Sequence, residues 1–351
     1  MIEPSVAVYE LCTQEWMTRR TRQYADRLEQ FAHRVTAGAV AAGPVADLGC
    51  GPGWHVGGLP QPVLALDASR SMLAEVDNPL RVAGDLRALP LRNRCLRAAW
   101  ASRSYIHLAR SEVPLALADL HRALVPGAAV ELHLFEGDTE WDESPDDDFP
   151  GRRFSRWPVP WLRDVLVGAG FDIEGIERRK KVLLVAARRL HTLADTVAPG
   201  MRLLVCGLNP STYAADVGVG FARSGNRFWP AARAAGLLSR DRDPRHALVA
   251  HRVGMTDLVK RPTRQAAELT AAEYAEGLER LERLAGRLEP RVICFVGLAG
   301  WRAALDRRAT PGPQTRRIGG RPAYLMPSTS GLNARTSLAE LTAHLRAANS
   351  L

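Results

Sequence analysis

The sequence has 351 residues, of which 46% are hydrophobic and 24% charged, and its formal net charge is +9. This composition excludes an intrinsically disordered chain, and the length predicts two domains, since a domain usually has about 150 residues. No apolar stretch approaches the roughly 20 residues of a membrane span, and the start lacks the regions of a signal peptide, so we expect a cytoplasmic, nucleoid-associated protein without a membrane partner.

The excess positive charge lies in the second part of the chain. Residues 200–351 contain 23 Lys and Arg against 12 Asp and Glu, whereas residues 1–199 contain 24 against 26. This asymmetry predicts a polyanionic partner for the second part. The alternative is that the arginines form solvated helix faces.

The cysteines are scattered and include no C-x-x-C pair. They are Cys12, Cys50, Cys95, Cys206 and Cys294. This pattern argues against a disulfide framework and against a cysteine-ligated zinc or iron–sulfur site. We therefore predict buried free thiols and no metal site.

Short apolar runs alternate with helical stretches in the first part. Helical spacing predicts one or two amphipathic helices within residues 6–35 and a helix at Leu115–Leu124. The predicted strands are Val45–Leu48, Val63–Leu66, Ala98–Ala101, Ala129–Leu134 and Val182–Ala187. Such alternation predicts a Rossmann-like, doubly wound parallel sheet. An acidic loop at residues 136–148 interrupts the pattern.

A second alternation follows residues 191–200, whose composition is that of a linker or short connecting helix. The predicted strands are Leu203–Cys206, Val292–Val296 and Ala323–Met326, and the predicted helix is Ala271–Leu288. The sequence therefore predicts an α/β protein with one domain at residues 1–190 and another at 201–351.

The first predicted strand leads into a glycine-rich turn in the stretch "VADLGCGPG". Gly49, Gly51 and Gly53 allow the backbone to approach a ligand closely, where any Cβ would clash. Asp67 ends the next predicted strand, where it could accept hydrogen bonds from two ribose hydroxyls, and Asp85 follows another short strand. These features predict a nucleoside-binding crevice at the carboxyl ends of the strands.

With these motifs, residues 1–190 resemble the class I S-adenosylmethionine-dependent methyltransferases. "DLGCGPG" is similar to their first motif, and "LHRALVPGAAVEL" is similar to their turn into a later strand. The resemblance implies that S-adenosyl-L-methionine is bound by Asp47, by the three glycines, by Asp67 at the ribose, and by Asp85 and Leu86 at the adenine. An NAD-type site and a fold that binds no ligand are the alternatives.

The methyl acceptor is left open by the sequence. The stretch "ASRSYIHL", residues 101–108, lies where an acceptor would bind. His107 and Tyr105 could contact it, although a packed histidine is the alternative. The acidic loop would repel nucleic acid, which favours a small or cationic acceptor.

The run "MRLLVCGLNPS" ends a predicted strand on an asparagine. Gly207 permits a tight exit from the strand and Pro210 fixes the following backbone, so the Asn209 amide is rigidly aimed. An amide can orient water but cannot deprotonate it. This suits a reaction in which a cation forms early, such as cleavage of an N-glycosidic bond in DNA, whereas an ordinary Asn-Pro turn is the alternative.

The companions of this turn are "VGVGFARSGNRFW", "HRVGMTDLVKRPT", "ICFVGLAGW" and "YLMPSTSGLNAR". In this order they resemble the mismatch-specific uracil/thymine-DNA glycosylases of the uracil-DNA glycosylase superfamily, over residues 201–351. "GLNPS" is similar to the family's G-I-N-P-G, and "NRFW" is the same tetrad. The resemblance implies a three-layer α/β/α fold with a central parallel sheet, no cofactor for this domain, and a partner that is double-stranded DNA with a flipped uracil or mismatched base.

The resemblance also implies roles for individual residues. Asn209 positions the water, Phe221 stacks on the flipped base, and Leu332 fills the hole that the base leaves, with Asn333 as the alternative wedge. The other residues implied at the base are Gly207, Leu208, Asn226 and Thr256, and those implied at the DNA are Ser328, Ser330, Gly331, Asn333 and Arg335. Ser211 and Asp257 depart from the family pattern and could affect the pocket.

We therefore expect a monofunctional DNA-repair glycosylase that releases uracil and carries a fused methyltransferase domain. One alternative is a methyltransferase whose second half reads DNA without catalysis. The other is a first half with only a structural or regulatory role.

Overall fold

The computed structural model describes residues 4–21, 23–38, 40, 42–141 and 147–351. Part of the predicted acidic loop, residues 142–146, lies outside the described residues. The chain divides into two compact units. The first comprises Met1–Val167 and Phe171–Leu190, and the second comprises Gly168–Gly170 and His191–Leu351.

A mixed sheet forms the centre of the first unit. Its strands are β1 (Val45–Leu48), β2 (Val63–Asp67), β3 (Arg81–Ala83), β4 (Leu96–Ser102), β5 (Leu124–Glu136), β6 (Glu140–Trp141), β7 (Phe154–Trp157), β8 (Phe171–Arg179) and β9 (Val182–Arg189). The order is β3-β2-β1-β4-β5-β7-β6, and β9 pairs antiparallel with β5 and β8. The five consecutive strands β3, β2, β1, β4 and β5 are parallel, so their carboxyl ends lie at the same edge of the sheet.

Helices of the first unit cover the sheet. They are α1 (Pro4–Arg19), α2 (Ala25–Ala37), α3 (Arg70–Ala74), α4 (Val113–Ala123) and α5 (Val159–Gly168). Helix α2 has Leu28, Phe31 and Val35 at helical spacing, and these side chains are buried in a core that includes Val45 of β1. The predicted helical start of the chain therefore consists of two helices.

The second unit contains a five-stranded sheet. Its strands are β10 (Leu203–Gly207), β11 (Val253–Asp257), β12 (Ile293–Val296), β13 (Gly312–Ile318) and β14 (Arg321–Met326). The order is β11-β10-β12-β14-β13, in which only the edge strand β13 is antiparallel. The predicted α/β class with a central parallel sheet is confirmed, and β11 and β13 are additional to the predicted strands.

Helices flank this second sheet as well. They are α6 (Thr212–Val217), α7 (Phe228–Ala234), α8 (Pro244–His251), α9 (Ala271–Leu288), α10 (Ala299–Ala304) and α11 (Leu338–Asn349). Across the described ranges of both units, we find no helix with the length and apolar character needed to cross a bilayer.

Residues 191–200, predicted as a linker, pack into the second unit. Leu193, Asp195 and Val197 are buried. Thr196 and Met255 of β11 exchange two backbone hydrogen bonds of 2.9 Å. Through these hydrogen bonds the segment extends the edge of the sheet in this unit. Its alternate side chains are buried in the interior of the same unit.

Helix α9 lies against the loop that follows β11. Its N-terminus is capped by Thr270, whose backbone N–H donates to the Glu273 carboxylate at 2.9 Å. At Gly277 a methyl group would overlap the backbone carbonyl oxygen of Leu258. Close approach of helix and loop therefore requires glycine at this position.

We expect Gly277→Ala to lower the free energy of unfolding by about 1–3 kcal/mol, because the added methyl group forces the helix away from the Leu258 carbonyl. Gly286→Ala in the same helix is the matched control. The nearest atom to a methyl group there is the Gly319 carbonyl oxygen at 3.8 Å, so helix propensity should raise stability by about 0.5–1 kcal/mol. Urea unfolding measures both, and equal effects of the two substitutions would contradict this packing.

Candidate active sites

The first unit contains a cavity of about 350 Å³ at the carboxyl ends of its parallel strands. The lining residues come from the turn after β1, the tips of β2 and β3, the segment after β4, and α1. The position agrees with the general rule that open α/β sheets bind ligands outside the carboxyl ends of their strands.

The glycine-rich turn and Asp67 are brought together at this cavity. Gly49, Gly51 and Gly53 have φ values of 67°, 54° and 83°, which favour glycine. The Gly51 N–H donates to one Asp67 carboxylate oxygen and the Ser69 N–H to the other, both at 2.8 Å. The backbone therefore fixes the Asp67 carboxylate at the cavity wall.

Two buried polar atoms near the turn have no hydrogen-bond partner among the described residues. They are Oδ2 of Asp47 and Oγ of Ser104. Burial, together with the neighbouring Asp67, raises the pKa of Asp47 to about 8. Because buried polar groups normally find partners, this pair of atoms fits a polar ligand held over the glycine turn. Ser104 has no distinctive motif of its own, so the sequence did not point to it.

Asp85 and Leu86 also line the cavity. The Arg87 guanidinium donates to Asp85 at 2.6 Å, and the Arg87 backbone N–H donates to it at 2.8 Å. A ligand that uses the Asp85 carboxylate must therefore share it with Arg87. Leu86 is buried and presents an apolar surface to the cavity.

Of the two predicted acceptor residues, His107 lines the cavity and Tyr105 does not. Nδ1 of His107 bonds the Arg153 carbonyl at 2.8 Å, so Nε2 accepts from the Tyr9 hydroxyl at 2.9 Å. Arg152 in turn donates to the Tyr9 hydroxyl. Burial lowers the pKa of His107 to about 4, so the ring is neutral and both its nitrogens are engaged.

In the second unit, the turn that carries Asn209 is hydrogen-bonded to the loop after β11. Leu258 N–H donates to the Gly207 carbonyl and Val259 N–H to the Leu208 carbonyl, both at 2.9 Å. Thr263 N–H donates to the Pro210 carbonyl at 3.1 Å. The pairing of β10 with β11 thus continues beyond the strands and makes the turn rigid.

The side chain of Asn209 is oriented by the same loop. Its Nδ2 donates to the Arg261 carbonyl at 2.9 Å and to Oγ1 of Thr263 at 2.8 Å. Oδ1 has no donor among the residues that the structure describes, so it can accept a hydrogen bond from a bound molecule. Thr263 belongs to the quoted "HRVGMTDLVKRPT" stretch, but its contact with Asn209 was not predicted.

Gly207, Phe221 and Asp257 meet at the tip of β10. A methyl group at Gly207 would overlap Oδ1 of Asp257 and lie 3.5 Å from Cζ of Phe221. Phe221 has a φ of 57° and stacks on Phe228, with 4.4 Å between ring centroids. Glycine at 207 therefore leaves the Asp257 carboxyl the space that a side chain would occupy, next to the Phe221 ring.

Burial raises the pKa of Asp257 to about 6, against the attraction of Lys260 and Arg280. Its neighbour Thr256, expected at the pocket edge, is 5% exposed and donates to Asp195 at 2.7 Å. This corrects the placement of Thr256, because it takes part in a buried polar network and Asp257 faces Gly207 instead.

That network is centred on Asp195. Its two carboxylate oxygens accept from Lys260 at 2.8 Å and from Arg280 at 2.7 Å. The opposite charges hold the pKa of the buried Asp195 below its usual value. The network fixes the end of β11 and the first residues of the loop that orients Asn209.

Two polar residues near the predicted pocket, the departure Ser211 and the predicted base-site residue Asn226, have local roles. Ser211 caps α6, since its Oγ accepts from the Ala214 N–H at 3.1 Å, so the hydroxyl is used by the helix. Asn226 caps the next turn, where its Oδ1 accepts from the Phe228 N–H at 2.9 Å. Asn226 therefore supports the segment behind Phe221.

The loop at residues 326–336 is held by Arg227, which the sequence analysis did not single out. The Arg227 guanidinium donates to the carbonyls of Asn333 and Thr336, both at 2.5 Å. Its backbone N–H donates to the Thr329 carbonyl. Asn333 uses its amide inside the loop, donating to the Ser328 carbonyl at 2.8 Å.

Leu332 projects from this loop and is 95% exposed. Gly331 beside it packs against the Gly225 backbone, where a methyl group would lie 2.9 Å from the Gly225 carbonyl oxygen. The hydroxyls of Ser328 and Ser330 accept backbone N–H groups at 3.3 Å, and Arg335 is exposed. Of the two candidate wedges, Leu332 is the one whose side chain is free to leave the loop.

Comparison with known proteins assigns a family description to each part. Residues 194–350 match the uracil DNA glycosylase superfamily, and residues 45–127 match a methyltransferase domain. Among solved structures, the chain is similar to an S-adenosylmethionine-dependent methyltransferase from Mesorhizobium loti, with 22% identity, coverage of 44% of this chain and 95% of that chain, and a TM-score of 0.36.

Two further solved structures are similar to the chain. The DhpI complex with SAH has 22% identity, covers 54% of this chain and 96% of that chain, and has a TM-score of 0.42. The other is a Burkholderia thailandensis 1,6-didemethyltoxoflavin-N1-methyltransferase with bound 1,6-didemethyltoxoflavin and S-adenosylhomocysteine. It has 18% identity, covers 54% of this chain and 92% of that chain, and has a TM-score of 0.41.

The raised pKa of Asp257 predicts a pH-dependent stability. Because the folded chain holds this proton more tightly than the unfolded chain, Asp257 makes the free energy of unfolding fall as the pH rises from about 4 to about 6. We expect Asp257→Asn to remove this contribution of about 3 kcal/mol, so that the stability of the variant relative to the wild type rises between pH 4 and pH 7. Urea unfolding at each pH measures the difference, with the exposed Asp241→Asn as control. A constant difference for Asp257→Asn would contradict the assignment.

Proposed function

Since the chain joins a methyltransferase domain to a domain of the uracil DNA glycosylase superfamily, we propose that the second unit hydrolyses the N-glycosidic bond of uracil, or of another mismatched base, flipped from double-stranded DNA. The first unit binds S-adenosyl-L-methionine. The observation that carries the glycosylase proposal is the fixed amide of Asn209, with Nδ2 held by Arg261 and Thr263 and Oδ1 left to accept.

Asn209 serves this reaction by placing a water molecule. Its Oδ1 accepts one hydrogen of the water, which turns an oxygen lone pair toward C1′ of the sugar. The C1′–N bond breaks and its electron pair leaves with the base, while the water oxygen bonds C1′ and releases a proton to solvent. An amide is sufficient because the sugar cation develops before the bond to water forms. The rate therefore depends more on the position of the water than on the basicity of the group that holds it.

The base lies in the space beside Gly207. Phe221 offers a ring face for stacking, which any base can use, and the Asp257 carboxyl reaches the edge of the same space. A protonated Asp257 donates a hydrogen bond to a base carbonyl. An ionised Asp257 opposes the negative charge that develops on a departing uracil.

DNA binding relies on the charge of the second unit and on the loop at residues 326–336. The charge of residues 200–351, 23 basic against 12 acidic, makes affinity depend steeply on salt. Leu332 enters the stack and offsets part of the unstacking cost, while Ser328, Ser330 and Arg335 contact phosphates. With a DNA substrate, we expect the protein to associate with the nucleoid.

In the domain predicted at residues 1–190, Asp67 accepts the ribose hydroxyls of the methyl donor. Asp47 and Ser104 supply polar partners near its charged end, and Asp85 with Leu86 contacts the adenine. The bound donor supplies an electrophilic methyl group on a sulfonium. The glycine turn lets the backbone approach it without steric conflict.

We expect Asn209→Ala to lower the rate of uracil release from a G·U duplex by about 100-fold or more, because the water loses its positioned acceptor. Binding of the duplex should change by less than about three-fold, since the amide makes no phosphate contact. Single-turnover base release and fluorescence anisotropy measure the two quantities.

Thr263→Val tests the support of the same amide, and a loss of roughly ten-fold in rate is expected because Nδ2 keeps only the Arg261 carbonyl. Asn349→Ala, at the end of α11 in the same unit, is the matched control and should retain full activity. Uracil release by Asn209→Ala at the wild-type rate would remove Asn209 from the mechanism. DNA binding without release of any base from uracil- or thymine-containing duplexes would overturn the glycosylase proposal.

Calorimetric titration with S-adenosylhomocysteine tests the methyl-donor site. Asp67→Ala should abolish detectable binding, because two ribose hydroxyls lose their shared acceptor and the Gly51 and Ser69 N–H groups lose theirs. Asp172→Ala, an exposed position of β8, should bind as the wild type does. Equal affinity of the two variants would refute the assigned site.

A further inference from the structure

The cavity of the first unit has two ends, which follow from the strand order. Apart from Ser104, which follows β4, the residues assigned to the methyl donor lie at the tips of β1, β2 and β3, in one half of the sheet. The segment after β4, residues 102–108, and the tips of β5 and β7 lie on the other side and also line the cavity. This second end is where a methyl acceptor meets the donor.

At the acceptor end, some charged side chains have a partner of opposite charge among the described residues and others do not. Among the described residues that line the acceptor end, Asp147 supplies a carboxylate, which accepts from Arg152 at 2.8 Å. Arg152 also lies about 5 Å from the ring centroids of Tyr9, Phe149 and Phe154. Among the described lining residues of this end, the carboxylate that a cationic acceptor would meet is therefore already paired with Arg152.

Arg103 lines the same end without an anionic partner. In the described ranges no carboxylate lies within ion-pair distance of its guanidinium, which rests 5.7 Å from the Tyr24 ring centroid. Burial raises the pKa of Tyr9 and lowers that of His107, and the positive charge of Arg103 opposes the first shift and adds to the second. The guanidinium thus keeps its hydrogen-bond donors for a ligand.

The backbone of Arg103 is also unusual. It directly follows β4 with a φ of 58°, a left-handed conformation that residues other than glycine seldom adopt. The Arg103 N–H donates to the His133 carbonyl of β5 at 3.1 Å, which holds the turn. Strained residues of this kind concentrate at ligand sites, where the surrounding structure enforces the conformation.

Aromatic side chains complete the acceptor end. Phe135 and Phe154 line it with ring centroids 5.9 Å apart, and Arg156 lies over Phe135. These two rings therefore give the acceptor end an apolar surface. A ligand of matching chemistry has an unsaturated or aromatic body and one negatively charged group.

We propose that the methyl acceptor of the first unit is a small molecule carrying an oxyanion, either a carboxylate or a phosphate, which the Arg103 guanidinium binds. This agrees with the expectation of a small acceptor and departs from the alternative of a cationic one, and it rests on the proposed methyl-donor site. A planar guanidinium forms paired hydrogen bonds with both kinds of oxyanion.

The test uses the full chain loaded with S-adenosylhomocysteine and four aromatic probes of similar size. These are benzoate, phenyl phosphate, benzamide and benzylammonium, titrated by calorimetry. We expect benzoate or phenyl phosphate to bind about ten-fold more tightly than benzamide, and benzylammonium to bind most weakly. Whichever anion binds more tightly identifies the oxyanion.

Substitution of the arginine links the preference to this site. Arg103→Gln should lose the advantage of the anionic probe over benzamide, and Arg103→Lys should retain part of it. S-adenosylhomocysteine affinity should stay within about two-fold in both variants, which shows that they fold. Arg92→Gln, at an exposed position outside the cavity, should behave as the wild type.

The proposal is overturned if benzamide or benzylammonium binds as tightly as the anions, if none of the four probes binds, or if Arg103→Gln keeps the anion preference. Failure of the wild-type chain to bind S-adenosylhomocysteine would instead overturn the methyl-donor site, and this inference with it.

Discussion

The hydrogen bonds from Nδ2 of Asn209 to the Arg261 carbonyl and to Thr263 are the constraint on which the second unit's chemistry depends. They exist because the pairing of β10 and β11 continues as backbone hydrogen bonds through the two loops that follow. An amide that is fixed before substrate arrives loses no conformational entropy in placing a water molecule. In the proposed reaction, the turn at the carboxyl end of β10 thus supplies the group that places the water.

Buried charged residues also hold the loop that follows β11 in place. Asp195 accepts from Lys260 and Arg280, and Thr256 joins the network. Removing one member would leave an uncompensated charge in the interior, which is strongly unfavourable. Asp257 lies beside these charges and also borders the space at Gly207, so the network links the stability of this unit to the protonation of its candidate pocket.

The first unit holds its polar groups differently. His107, Tyr9 and Arg152 form a completed chain of hydrogen bonds, and Asp85 is paired with Arg87. By contrast, the described structure leaves Oδ2 of Asp47, Oγ of Ser104 and the Arg103 guanidinium without hydrogen-bond partners. Ligand recognition is expected where partners are missing, because a bound polar molecule can complete them.

The sequence by itself determined both α/β domains and the family models that their residues match, because apolar runs, glycine turns and helix caps are local signals. The bounds of α9 are those predicted. The sequence did not predict β11, whose sequence "VGMTD" lacks a continuous apolar run, or the exposed edge strand β13. Only the tertiary structure decided that Asp257 rather than Thr256 faces Gly207, and that Thr263 supports Asn209. Strand register and contacts between residues 54 positions apart depend on the packed sheet, and no local pattern encodes them.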